Sequence, residues 1–387
     1  MKIAGIICEY NPFHNGHAYH IAKTRSILGA DTTIVCVMSG NFVQRGDTAI
    51  FDKHTRAACA VAGGADLVIE LPVPWALSSA ESFARGGVSL LYAAGCGYIS
   101  FGSECGDAET IISAAETLRG EKTQNAVKAE LQKGKTYAAA CAAALESVSP
   151  ELGGLLSSPN DLLGIEYARA SIALGGKLRL IAVKRDGADH DSPVAGASIA
   201  SASFIREKLA SWTNAESYMP TDTTRLIRGK TPVTLIDYEQ AILSRLRMIK
   251  DAVYKKLDAG REGFADRFMK YARAAPSIDA LLSGVKTKRY PMSRIRRMML
   301  RAAIGITAED SSGVPPYIRV LAANKTGCRI LDNMSAEVPV IVKPALVKKL
   351  GEQERHIFGL EAAATDLYAL GRGEPGGMEW LRSPIIL

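Results

Sequence analysis

Short apolar runs alternate with amphipathic segments through the first 210 residues. The pattern predicts strands at Lys2–Cys8, Thr33–Met38, Leu67–Leu71, Tyr98–Phe101 and Leu178–Lys184. Between them it predicts helices at Asn15–Leu28, Asp52–Ala62, Ser79–Ala94, Asp107–Leu118, Lys122–Leu145 and Asp161–Leu174, with Ser201–Trp212 closing the series. Ala18, Ile21, Ala22 and Leu28 share one face of the first helix, Asp52 suits an N-cap, and Gly86 and Gly87 weaken the fourth segment. Strands of about five apolar residues separated by helices imply an α/β fold, a Rossmann-like parallel sheet with helices on both faces. Ligands of such sheets bind beyond the carboxyl ends of the strands. Those loops are Glu9–His14, Ser39–Asp47, Gly102–Asp107 and Arg185–Ala197.

The period changes after about residue 215. Asp237–Lys256, Arg261–Ala274 and Ser293–Ile304 read as helices, a mixed segment covers Ile330–Val342, and a last helix lies around Glu352–Leu370. The expected division is therefore 1–220, the alternating strand-and-helix unit, and 221–387, a mainly helical and basic unit.

Composition adds limits rather than detail. The 387 residues are 47% hydrophobic and 22% charged, which excludes a mostly disordered chain. No apolar run reaches the ~18 residues of a membrane span, and Glu9 interrupts the first apolar segment too early for a secretory signal. Seven scattered cysteines without a CxxC read as reduced thiols, so a cytoplasmic setting is expected. The net charge of +7 is unevenly spread: residues 1–110 carry 7 basic and 10 acidic side chains, and the remainder 40 and 30. A polyanion is the partner such a basic remainder suits.

The densest chemistry is Glu9-Tyr10-Asn11-Pro12-Phe13-His14-Asn15-Gly16-His17, at the junction of first strand and first helix. Gly16 admits close backbone approach, and a helix N-terminus favours phosphate. His14 and His17 are placed to donate hydrogen bonds to a phosphoryl group gaining charge. A zinc site would use His20 as a third ligand but lacks a suitably spaced cysteine or acid, and two solvated histidines are the plain alternative. No GxxxxGK[ST] P-loop exists in the chain.

His14-Asn15-Gly16-His17 resembles the HxGH signature of the nucleotidyltransferase superfamily. Ala200-Ser201-Ala202-Ser203-Phe204-Ile205-Arg206 is similar to its ISSTxIR element, departing at the first, third and fourth positions. GIICEYNPFHNGH, SGNFVQRGD, SFGSE, SPNDLLGIEY and VKRDG together resemble the tRNA(Met) cytidine acetate ligase family, and TKRYPMSRIRR extends the likeness more loosely. The resemblance implies an ATP-dependent ligase that forms acetyl-adenylate, releases pyrophosphate, and acetylates the wobble cytidine of elongator tRNA(Met). It implies catalytic roles for His14, His17, Ser203 and Arg206. It implies ATP contacts at Ile7, Cys8, Glu9, Tyr10, Asn11, Pro12, Phe13, His14, Asn15, Gly16, His17, His20, Gly102, Asn160, Arg185 and Ser201. Asn160 could equally cap the following helix, and Arg185 could form an ordinary surface ion pair. Mg²⁺ would ride on the ATP phosphates, with no protein metal ligands.

Three further features come from the residues themselves. The polar, glycine-bracketed loop after the second strand suits a small carboxylate such as acetate, with Asn41, Gln44 and Arg45 as its contacts, or is a solvated turn. Lys53 and Arg56 on the next helix are candidates for phosphate charge, Arg56 reading rather as part of a solvated face. Lys286, Lys288, Arg289, Arg294, Arg296, Arg297 and Arg301 form a run of seven cations without an acid. Such a run suits strong, salt-sensitive binding of a nucleic acid, which the family resemblance implies is RNA, with Tyr290 a stacking or a core residue. Two other functions fit parts of the pattern: an adenylyltransferase for a small metabolite, and a noncatalytic RNA-binding protein.

Overall fold

The computed structural model describes residues 2–185, 199–213, 215–257, 263–334 and 336–387. The loop expected at Arg185–Ala197 thus lies, beyond Arg185, outside the described residues, as do the last two residues of VKRDG and the start of the helix expected from Arg261. No described helix is long and apolar enough to cross a membrane.

Among the described residues ten strands appear in chain order: β1 (Ile3–Cys8), β2 (Thr33–Ser39), β3 (Phe42–Val43), β4 (Asp47–Thr48), β5 (Leu67–Leu71), β6 (Tyr98–Ser103), β7 (Arg179–Lys184), β8 (Ile318–Ala323), β9 (Val340–Ile341) and β10 (Ile385–Ile386). The main sheet runs β10-β8-β5-β2-β1-β6-β7, with β9 beside β8. The five strands read from the sequence pair in parallel, and β2 and β5 are buried throughout and mostly apolar, as two helix-covered faces require. β2 and β6 flank β1, so the order reverses at β1, and the crevice beyond its carboxyl end is the place for a ligand.

Helix α1 (Asn15–Leu28) follows β1, and α2 (Lys53–Ala62) starts behind Asp52, whose carboxylate accepts from Thr55 N at 3.1 Å. Gly86 and Gly87 do not break the helix Ala80–Ala93. A Cβ on Gly86 would stand 2.5 Å from Trp75 Cδ1 and one on Gly87 2.6 Å from Ile7 Cδ1, so Gly86 serves close packing on the short helix Val73–Ala76 and Gly87 close packing on β1. The expected helix Lys122–Leu145 is two, Glu121–Gln132 and Tyr137–Val148, because the chain turns at Gly134 and Thr136 caps the second. Asp237–Lys256 likewise divides into Glu239–Met248 and Asp251–Leu257.

The chain after residue 220 is mainly helical, yet β8 adds to the main sheet, antiparallel to β5, and carries β9 and β10 with it. One apolar cluster runs from Ile7, Val35 and Leu91 to Met299, Val320 and Phe358. The core therefore crosses the boundary expected near 220: the C-terminal segment covers an edge that would otherwise be left open.

Candidate functional site

The crevice beyond β1 is built by main chain first. Tyr10 has φ 44°, and its ring meets Phe13 at 4.9 Å and His17 at 4.7 Å between centroids. His14 is the N-cap of α1 and is buried; its Nδ1 accepts from Gly16 N at 3.1 Å. His17 Nδ1 accepts from His14 N at 3.3 Å, and the two imidazoles stack at 3.7 Å. With Nδ1 of each ring used as an acceptor, Nε2 of each neutral ring carries the proton and is the free donor. Burial, then the charges of Arg185 and Arg206, lowers His14 to about 4. Burial, then His14, His20 and Arg185, holds His17 well below the usual range. Both rings are neutral at pH 7, so they donate to an oxygen without giving up a proton.

His20 is committed elsewhere. Thr24 Oγ1 donates to His20 O at 2.8 Å, Ser100 Oγ lies 2.7 Å from Thr24 Oγ1, and His20 Nε2 lies 2.9 Å from Ser100 Oγ. Consistent donors make His20 Nε2–H the start of that circuit, which ties α1 to β6. Burial, then Arg185, brings His20 to about 4 as well.

The second motif arrives through Arg206. Its Nη1 donates to Asn11 O at 2.8 Å and its Nη2 to Ser203 Oγ at 3.1 Å. Ser201 caps the helix Ala202–Ala210, its Oγ accepting from Phe204 N at 3.2 Å. Ser203, Arg206 and the His14–His17 loop thus meet although about 190 residues separate them. On the β6 side, Asn160 does not cap its helix, which begins behind Ser158. Its Nδ2 donates to Glu104 Oε1 at 2.5 Å, while Arg185 Nη1 reaches Asn160 Oδ1 at 3.4 Å. Gly102 leaves room for the Arg185 stem, since a Cβ there would stand 3.1 Å from Arg185 Cδ. Ile7 and Cys8 end β1, and Pro12 and Asn15 lie buried in the same turn, where Asn15 Nδ2 reaches Ser217 O at 3.2 Å.

The loop after β2 is more architectural than its polarity suggests. Asn41 is buried; its Oδ1 accepts from Lys53 N at 2.9 Å and its Nδ2 reaches Thr365 Oγ1 at 3.3 Å. Gln44 N donates to Glu9 Oε1 at 2.8 Å, joining this loop to the one after β1, and Gln44 Nε2 reaches Ser78 O at 3.3 Å. Burial raises the Glu9 carboxyl against the opposing pull of the Gln44 N–H, Arg45, Arg56 and Arg206. Arg45 is exposed.

Lys53 and Arg56 are neither phosphate ligands nor solvated: both are buried. Lys53 Nζ sits among Glu70 (2.7 Å), Glu361 (3.1 Å) and Glu379 (2.6 Å). Arg56 donates to Phe51 O at 2.9 Å, Ser39 O at 3.0 Å, and the carbonyls of Gly40 and Glu9. It clamps the ends of β1 and β2, a role no local pattern announced. Its only trace in the sequence is an arginine standing directly before the small, apolar run Ala57–Val61.

The basic run is only partly available to a ligand. Arg301 is buried and donates to Pro74 O (3.0 Å), Leu77 O (3.1 Å) and Thr307 O; it is a core residue, which corrects its assignment to RNA. Tyr290 is also core, 4.7 Å from the Phe264 ring, and Arg294 lies over both rings. Arg296 reaches Asp47 at 3.4 Å and Arg297 donates to Gln44 O at 3.1 Å, so the helix Met292–Ile304 rests on the β3–β4 hairpin. Gly46 (φ 76°) permits this: a Cβ there would stand 2.5 Å from Arg297 N. Lys286, Lys288 and Arg289 are exposed.

Comparison with known proteins places this geometry. Residues 1–376 match the model of the HIGH Nucleotidyl Transferase family. The chain is 36% identical to tRNA(Met) cytidine acetate ligase of Caldicellulosiruptor saccharolyticus over 96% of its own length and 94% of that protein's. It is 34% identical to the enzyme of the same name from Acetivibrio thermocellus, covering both chains completely. Crystal structures of Thermotoga maritima TmcAL superpose at TM-score 0.91 over the whole of both chains, at 32% identity for the apo form and 31% for a form bound with alpha-thio ATP.

Proposed function

Because this chain belongs to the HIGH nucleotidyl transferase family and, along its whole length, to the tRNA(Met) cytidine acetate ligases, we propose that it acetylates the wobble cytidine of elongator tRNA(Met) at the expense of ATP. It is an ATP-dependent, AMP-forming carbon–nitrogen ligase acting in the cytoplasm. An acetate oxygen attacks the α-phosphorus of ATP, the bond to the bridging oxygen breaks, and pyrophosphate leaves with that electron pair. The cytidine N4 then attacks the acetyl carbonyl carbon. The bond to the phosphate oxygen breaks, AMP departs, and the nitrogen loses a proton. An aromatic amine is too weak a nucleophile for free acetate, which is why a mixed anhydride comes first.

The observation that carries this reading is the neutral His14–His17 pair, joined through Asn11 to Arg206, at the carboxyl end of β1. Two fixed Nε2–H donors stabilise the charge that grows on the α-phosphoryl oxygens, and cost no reorganisation at the moment of reaction. Ser201, Ser203 and Arg206 hold the departing pyrophosphate. Gly102, Asn160 and Arg185 line the adenosine side. Acetate enters between the loops after β1 and β2, where Arg45 draws it and the Gln44 main chain shapes the wall. Among the described residues no group of three or more His, Cys, Asp or Glu could cage a metal. The Glu9 carboxylate is already engaged by Gln44 N. This donor set fits a Mg²⁺ brought in on the phosphate oxygens, where it would offset charge on the leaving pyrophosphate. Lys286, Lys288 and Arg289 meet the tRNA backbone.

The test has two arms. Labelled pyrophosphate should exchange into ATP only when acetate is present. Mass analysis of tRNA(Met) incubated with protein, ATP and acetate should then show an acetyl group on the wobble cytidine. Exchange driven by another acid, with the tRNA unmodified, would overturn the reading.

A further inference from the structure

Arg206 serves two spaces. Its guanidinium holds Asn11 O on the ATP side, while on the other side it lines a cavity of about 940 Å³. Asp47, Trp212, Arg228, Lys230 and Asp237 contribute to the remaining walls. That volume lies at the upper end of small-molecule sites, enough for a whole nucleotide.

Trp212 is the unusual member. It is 39% exposed, and its ring leans on buried Phe51 with centroids 6.5 Å apart. Its backbone has φ 51°, a left-handed conformation that bulky residues avoid. Such a conformation persists only where the surroundings enforce it, and it recurs at ligand sites. Here it keeps a large aromatic face on the cavity wall. The walls carry Arg206, Arg228 and Lys230 beside Asp47, Glu207, Glu216 and Asp237, with Arg228 Nη2 3.5 Å from Glu216 Oε1; carboxylates accept from an exocyclic amine, and arginine and lysine meet phosphate. Asp47 belongs to the same β3–β4 hairpin whose Gln44 contacts Glu9 at the end of β1.

We propose that this cavity is the subsite for the unstacked cytidine that receives the acetyl group, with Trp212 as its stacking platform and Arg228 and Lys230 at its phosphate. The assignment rests on the tRNA-acetylating function above. Arg206, as the shared wall, places the amine next to the adenylate.

Three measurements on the full chain, with Trp212→Phe and Trp212→Ala, test it. Acetate-dependent pyrophosphate exchange reports adenylate formation, and should persist in both variants. The kcat/KM for acetyl transfer to tRNA should fall roughly 5- to 150-fold in Trp212→Ala, the range of one lost base–aromatic stack. Trp212→Phe should retain most of it. Cytidine 5′-monophosphate should quench the tryptophan emission of the wild type and not that of Trp212→Phe, in which Trp75 and Trp380 remain. Unchanged transfer by Trp212→Ala, or equal quenching in Trp212→Phe, overturns the proposal. So does loss of exchange together with transfer, which would make Trp212 a folding residue. A wild type that exchanges pyrophosphate but modifies no cytidine would refute the function itself, while the quenching experiment still decides the cavity.

Discussion

The neutral state of His14 has a thermodynamic consequence that can be isolated. Burial and two arginines lower it from 6.5 to about 4 in the folded chain. The unfolded chain therefore binds a proton near pH 6.5 that the folded chain refuses until about pH 4, so stability is lost as pH falls through that window. For one group the loss follows from the ratio of the two proton-binding polynomials. Between about pH 7 and about pH 5 it amounts to about 2 kcal/mol. The substitution His14→Asn removes the titration and keeps an N-cap, since asparagine is among the best capping residues. Urea denaturation of both proteins at the two pH values gives a double difference in which titrating groups that His14 does not influence, His20 among them, cancel. The variant should lose about 2 kcal/mol less than the wild type on acidification. Equal losses would mean that His14 is charged or solvent-like in the folded state, and the argument for a neutral Nε2–H donor would fall with it.

Four other outcomes are expected. His17→Ala should lower acetate-dependent pyrophosphate exchange by roughly 10²–10³-fold, the effect of one oxyanion donor, with the far-UV circular dichroism of the wild type; unchanged exchange would remove His17 from the mechanism. Lys53→Met leaves three buried carboxylates facing one another and should cost roughly 3–5 kcal/mol in urea denaturation, whereas a shift under about 1 kcal/mol would contradict the buried cage. Lys288→Ala with Arg289→Ala should reduce the slope of log affinity for tRNA against log salt by about 2 and leave exchange untouched; an unaltered slope would place the RNA on another face. Gly46→Ala should destabilise the contact between the hairpin and the helix Met292–Ile304, seen as a lowered midpoint in thermal unfolding, and a variant as stable as the wild type would show that the hairpin yields easily.

The sheet and the histidine turn were legible because both depend on short-range signals. Apolar runs bounded by helices give the five parallel strands almost to the residue, and a His-x-Gly-His turn between strand and helix has few other uses. β8 was missed although Ile318–Ala323 is an apolar run like the others, because its pairing partner, β5, lies some 250 residues away and nothing local foretells an antiparallel addition. Arg301 was misread for a related reason. Its spacing from Arg294 and Arg297 traces one helical face, but Met298, Met299, Leu300, Ala302 and Ala303 surround it, and that face turns into the core midway along the helix. Spacing fixes a direction around the helix axis; what meets that direction is decided by tertiary packing.

The arginines argue that electrostatics in this chain serves the main chain as much as any ligand. Arg56 holds carbonyls of Glu9, Ser39, Gly40 and Phe51, Arg297 holds Gln44 O, Arg206 holds Asn11 O, and Arg301 holds Pro74 O and Leu77 O. Glu9, Asn11, Gly40, Gln44 and Phe51 lie in irregular loops, Ser39 ends β2, and Pro74 and Leu77 belong to the short helix Val73–Ala76 and its C-cap. Buried main-chain acceptors there would each cost about 1–3 kcal/mol if left unpaired, and a guanidinium can satisfy several at once from a fixed fork. A loop pinned in this way keeps its geometry without a regular element to hold it. The catalytic turn can then present two imidazole donors at one spot while its own backbone stays irregular. Lysine could not replace Arg56 or Arg301, because one ammonium does not span carbonyls from separate segments. The net charge of +7 therefore overstates what the surface offers: Arg56 and Arg301 are buried, and of the run near residue 290 Arg294, Arg296 and Arg297 are half-buried while Lys286, Lys288 and Arg289 are exposed.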